Sequence, residues 1–130
     1  FTVPSLEQLR RGGRISGLAS LLGTLLQVRP VMAVDDGAIG LVDRPRSAAR
    51  AVDRLVELAV ERVGGDPVRI AVHEYGDPET AVQLAERLQP ISTTPVPVVE
   101  LPAVLAAHLG LGALGVVICP LESPTGGSGD

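Results

Sequence analysis

The order of apolar patterns along the chain predicts an α/β domain with a mixed β-sheet, and two observations carry that expectation. Short runs rich in β-branched residues alternate with longer stretches of helical periodicity, and one pair of runs brackets a tight turn. A strand, helix, strand alternation calls for parallel pairing, whereas a hairpin calls for antiparallel pairing, so the sheet holds both.

The elements follow in chain order. Ser5 with Gln8 three positions on has the form of a capping box, which predicts a short helix over residues 6–11 stopped by Gly12. Leu18, Leu21, Leu22, Leu25 and Leu26 then recur at helical spacing, opposite a small face of Gly17, Ser20 and Thr24. Such a face admits either another backbone or a slender ligand. Residues 31–34 and 38–42 flank Asp35-Asp36-Gly37, the turn chemistry of a hairpin. In the longest helix Ser47 is the cap, and Ala48, Ala51, Val52, Leu55, Ala59 and Val63 form one apolar stripe that Gly64-Gly65 ends. Residues 68–73 read as a buried strand, and Asp77-Pro78 supplies a cap and a first-turn proline for a helix running to Leu88. Residues 96–101 read as a further strand, edge or irregular because of Pro95 and Pro97. A short helix over residues 102–109 leads into a last strand over residues 115–119. The apolar neighbours Val116, Val117 and Ile118 there predict a buried, inert Cys119.

Composition narrows the function classes. A chain of 130 residues suits one domain able to fold without staples, and its single cysteine excludes an internal disulfide, which favours a cytoplasmic protein. A net charge of -4 and the lack of a long basic run argue against nucleic acid. Membrane insertion is disfavoured too, because the most apolar stretch, residues 15–26, is shorter than the ~20 residues a span needs. Phe1 stands first without a methionine and the apolar pattern begins at once, so the expectation is a piece of a longer protein, with residues 1–121 as the domain and residues 122–130 as a disordered tail.

Four stretches hold candidate chemistry. Arg10-Arg11-Gly12-Gly13-Arg14 places a helix-breaking glycine pair among guanidinium groups, an arrangement suited to an anionic head group. His108 stands beside Gly110, Gly112 and Gly115, which match the dinucleotide fingerprint as a string. A helix precedes them and a strand follows, the reverse of what a pyrophosphate site needs, so the nucleotide reading is rejected. The segment then reads either as a tight helix-to-strand connection or as an anion site completed by His108. Arg44, Arg46, Arg50 and Arg54 crowd a helix start, either as a solvated face or as a partner surface. His73-Glu74 lacks a nucleophile, a second histidine and metal-ligand spacing, so neither catalysis nor a metal or cofactor is expected.

Taken together, Ser5-Leu6-Glu7, Gly12-Gly13-Arg14-Ile15, Gly23 to Arg29-Pro30, Asp36-Gly37, Arg46-Ser47, Arg50-Ala51 and His108-x-Gly110-x-Gly112-Ala113-Leu114-Gly115 resemble the carboxy-terminal domain of the DegV family. Two departures stand in the last segment, Ala106 where the family usually has Gly and Leu111 where it usually has Pro. The resemblance implies a two-layer domain with helices packed on a mixed sheet, and fatty-acid binding between this domain and a missing amino-terminal one. It implies that Arg14, His108 and the loops of Gly12, Gly13, Gly110 and Gly112 lie near the carboxylate, and that Leu18 and Leu22 line the acyl chain. It also implies that Arg46 and Arg50 face a fatty acid kinase subunit, which would phosphorylate the bound acid. The alternative is a regulatory or protein-interaction module that keeps the fold without the ligand. A lone half of such a site is expected to self-associate through its uncovered apolar wall.

Overall fold

The computed structural model of the chain describes residues 1–4 and 29–121, with His108 described by its backbone. The expected helix over residues 6–11, the leucine-rich helix and the tail over residues 122–130 lie outside the described residues.

Strands β1 (Val31–Asp35) and β2 (Ala38–Asp43) form the expected antiparallel hairpin. Asp36 and Gly37 take φ values of 51° and 77°, the pair of left-handed residues that matches a two-residue turn to the twist of its strands. Helix α1 (Ala48–Val63) begins at Ser47, whose Oγ accepts the Arg50 N–H at 3.1 Å. It closes at Gly64, which donates to the Val60 carbonyl at 3.1 Å with φ of 56°. The stripe is buried as expected except for Ala48, which is exposed because the first turn overhangs a surface cavity rather than the sheet.

Strand β3 (Val68–Glu74) buries Val68, Ile70, Val72 and Glu74 but leaves Arg69 in water, so it is half-buried rather than fully buried. Helix α2 (Pro78–Leu88) starts as expected, with Asp77 Oδ1 accepting the Thr80 N–H at 3.2 Å, and buries Ala81, Leu84, Ala85 and Leu88. Strand β4 (Val98–Glu100) is shorter than the apolar run that announced it and pairs parallel to β3 at the sheet edge. Pro95 and Pro97 have no N–H to offer a ladder, although the Pro97 carbonyl still accepts from Val72 at 2.9 Å. Helix α3 (Ala103–Leu109) leads into β5 (Leu114–Pro120), antiparallel to β3.

The result is the mixed sheet that the pattern predicts, in the order β4-β3-β5, with the β1-β2 hairpin beside it. Thr2 bridges the two parts by pairing with Val31 and with Leu114. Helices α1 and α2 cover one face, where Leu55, Ile70, Leu84 and Leu88 make the main core. A smaller core of Val3, Met32, Leu101 and Ala113 forms on the opposite face, with Tyr75 and Leu109 against it. Exposed ion pairs, Arg54 to Asp43 at 2.9 Å and Arg62 to Asp35 at 3.7 Å, tie α1 to the hairpin and are worth at most about 1 kcal/mol each.

The expectation for Cys119 is overturned, since the thiol is exposed. Cys119 pairs with Arg69 while Ile118 pairs with Ile70, and residues directly opposite in an antiparallel ladder share a face. The apolar run around Cys119 therefore splits by alternation, with Val116 and Ile118 against the helices and Val117 and Cys119 turned away.

Candidate functional site

The loop over residues 110–113 connects α3 to β5 and gathers the described part of the candidate site. Gly110 takes φ of 93° and Gly112 φ of 100°, backbone conformations that L side chains rarely adopt. Gly110 donates to the Ala106 carbonyl at 2.8 Å and Gly112 to the Tyr75 carbonyl at 2.6 Å, while Tyr75 donates to the Ala113 carbonyl at 3.1 Å. These N–H groups are engaged within the fold, so what the two glycines supply is the path of the chain. That path carries the chain from His108, in the last turn of α3, to the start of β5.

Leu111 is 70% exposed and its side chain lies over Gly76, whose φ is 86°. A Cβ at Gly76 would meet Leu111 Cγ at 2.8 Å. The Leu111 departure from the resemblance is accommodated by a glycine at position 76. The Ala106 departure is buried.

Beside this loop is a cavity of about 220 Å³, lined by Thr2, Arg29, Ala48, Asp77, Thr80 and Gly112 among others. A Cβ at Gly112 would lie 3.8 Å from Arg29 Nη1, so the guanidinium stands against the glycine loop. Arg29 is the residue that sequence reasoning missed as a site candidate; its signal was its place beside Pro30, which ends in the strand start, a position that the resemblance already quoted. Arg46 and Arg50 are both exposed at the start of α1, and Ala48 between them lines the same cavity as Gly112. The glycine loop and the arginine pair, read from distant parts of the sequence, thus belong to one neighbourhood. Arg54 stands apart, pairing with Asp43 and with Glu57. Gly12, Gly13, Arg14, Leu18 and Leu22 lie outside the described residues.

Glu74 is only 5% exposed and accepts the Asp77 N–H at 3.1 Å, which makes it part of the turn into α2. Its neighbour His73 points to the other sheet face, so the two do not form an acid/base pair. Among the described residues there is no cluster of side chains suited to a metal, and no helix is long and apolar enough to cross a membrane.

A second and larger cavity, about 780 Å³, opens between β1 and β5 and is mostly apolar, with Met32, Val34, Leu55, Leu109, Val116 and Ile118 among its walls. Phe1 closes one end of it. The α-amino group of Phe1 donates to the Met32 carbonyl at 2.7 Å, and burial, with a smaller contribution from the charge of Arg62, lowers its pKa from 8.0 to about 6.

A family model described as an uncharacterised protein of the DegV family matches residues 1–121. The chain belongs to the DegV family. It is 42% identical over 120 residues to a DegV domain-containing protein of Streptomyces coelicolor, covering 91% of this chain and 43% of that one. Among solved structures, it is similar to a fatty acid binding DegV family protein from Streptococcus agalactiae, with a TM-score of 0.84 and 29% identity over 92% of this chain and 43% of that one. A fatty-acid-binding DegV family protein from Thermus thermophilus gives a TM-score of 0.83 and 30% identity over 92% of this chain and 44% of that one. The chain thus spans less than half the length of these DegV relatives.

Proposed function

We propose that this chain is the carboxy-terminal half of a DegV protein that binds a long-chain fatty acid and presents it to a kinase. The observation that carries the reading is the match of this fold, over 92% of the chain, to DegV proteins described as fatty-acid binding. The local geometry supports it: the glycine loop that follows His108 is held to Tyr75, and its Gly112 lines a cavity together with Arg29. In this reading His108, Arg14 and the loops of Gly12 and Gly13 serve the carboxylate, Leu18 and Leu22 serve the acyl chain, and Gly110 and Gly112 shape the loop. The chain performs no chemistry; the kinase, docking on Arg46 and Arg50, supplies it.

The test uses the full-length protein. Native mass spectrometry finds a co-purified long-chain acid, and His108→Ala weakens acid binding by roughly tenfold or more, because a hydrogen bond to a charged group contributes about 1.5 to 3 kcal/mol. The melting temperature stays nearly unchanged. An equal loss of stability with no loss of affinity overturns the role of His108, and a full-length protein that neither carries nor takes up fatty acid favours the interaction-module alternative.

A further inference from the structure

We propose that the outer edge of β2 is a dimerisation strand, on which a second copy of this chain lays its own β2 antiparallel about a two-fold axis through Gly40. The outer strands of the described sheets are not alike. Strand β4 is three residues long and preceded by Pro95 and Pro97, both common guards against edge pairing, whereas Ala38-Ile39-Gly40-Leu41-Val42 of β2 holds neither proline nor charge. Asp35 and Ala38 flank the hairpin turn and bond to each other, and bonding alternates from there, so Ala38 and Gly40 bond to β1. The N–H and carbonyl groups of Ile39 and Leu41 therefore point to the outer edge, where no strand pairs among the described residues. The irregular step in the ladder with β1 falls after Leu41, which leaves Ile39, Gly40 and Leu41 regular.

This edge is complementary to itself. With Gly40 opposite Gly40 of the second copy, Ile39 stands opposite Leu41 of the second copy and exchanges both backbone bonds with it, and the same holds with the copies reversed. Gly40 then sits where the backbones come closest, since a pair without mutual hydrogen bonds is about 4.5 Å apart between Cα atoms. Nothing among the described residues asks for a glycine at this position: its φ lies outside the left-handed region, and a Cβ there would meet no neighbour. A glycine inside a strand often marks the close approach of another backbone. Ile39 and Leu41, half-buried against the smaller core, meet side by side across the axis. The same register also matches charge. Continued past the strand ends, it sets Asp36 of each copy against Arg44 of the other, and both are exposed. The other carboxylates at these ends, Asp35 and Asp43, are already held by Arg62 and Arg54 of their own chain.

Sedimentation velocity and amide hydrogen exchange on the full-length protein test this. As the concentration rises from micromolar to millimolar a dimer forms, and the Ile39 and Leu41 amides exchange slower by roughly tenfold, while the Gly40 amide, already bonded to β1, changes little. Arg44→Glu sets like charges together at both ends of the strand pair and raises the dissociation constant roughly tenfold or more. Asp36→Lys does the same. Mixing the two variants restores association, because in the mixed dimer the reversed charges meet each other at one end and the native pair remains at the other. The left-handed backbone at position 36 burdens the substituted residue equally in monomer and dimer, so that strain drops out of the comparison. A full-length protein that stays monomeric throughout, or a dimer indifferent to Arg44→Glu, overturns the proposal. So does a mixture no more associated than its components, or exchange at Ile39 and Leu41 that ignores concentration.

Discussion

Gly76 and Gly65 share nearly the same backbone, with φ of 86° and 85°, but not the same surroundings: a Cβ at Gly65 meets nothing, whereas one at Gly76 meets Leu111. Gly65→Ala therefore reports backbone strain alone, about 1–2 kcal/mol, and Gly76→Ala costs more by the displacement of an exposed leucine. Denaturant unfolding checks this, and in a Leu111→Ala background the two substitutions become equal in cost. Phe1 gives a second prediction for the chain that begins there. Its amine has a folded pKa of about 6 against 8.0 unfolded, so between those values the unfolded state binds more protons and stability rises with pH. The cost is fully present below pH 6, about 3 kcal/mol at most, and gone above pH 8. Urea midpoints across that window rise, and acetylating the amine removes this contribution to the slope. The residue scale is also where the sequence misled most: Cys119 read as buried because three apolar neighbours hide a period of two, and Ala48 read as core because helical spacing cannot say where the sheet ends beneath a helix.

Elements were legible where one local rule dominates. Asp36-Gly37 allowed one turn, Ser47 and Asp77 each accept the N–H three residues on, and the stripe of α1 is buried from Ala51 to Val63. Strand β4 was legible in kind but not in length, because prolines trim pairing from outside the apolar run. The glycine loop was legible as a connection, while its engagement with Tyr75 was not, since Tyr75 lies some 37 residues earlier and only the β3-β5 register brings it there. The same non-local folding hid the closeness of the α1 start to that loop, and with it Arg29. Reversing Arg46 and Arg50 to Glu tests the partner surface in the full-length protein. Acidic groups at a helix start are favourable by about 0.3–1 kcal/mol each, so α1 keeps or gains stability. Fatty-acid affinity stays the same and phosphorylation slows, with a weaker salt dependence of association. Unchanged phosphorylation kinetics return both arginines to the role of a solvated face.

At the scale of the whole molecule, the two sheet faces differ in how well they are covered. Helices α1 and α2 bury one face, whereas on the other the apolar side chains of Val34, Val104, Leu105 and Val117 reach solvent, with Val104 73% exposed. Scattered exposed leucines and valines need no account, but four on one face make a surface that water disfavours. In a longer DegV protein another domain can cover such a face; among the described residues nothing covers it, and for this stretch of chain by itself a second copy can. The net charge of -4 opposes close approach only weakly once salt shortens the screening length to about 10 Å. The chain by itself therefore self-associates reversibly as its concentration rises from micromolar to millimolar, and Val104→Ser with Leu105→Ser shifts that equilibrium towards monomer. Both positions are exposed, so the double variant keeps its unfolding midpoint to within about 0.5 kcal/mol per site. Sedimentation velocity distinguishes the outcomes: a monomer at every concentration excludes this face as an adhesive surface, and association that persists in the double variant moves the contact to the outer edge of β2.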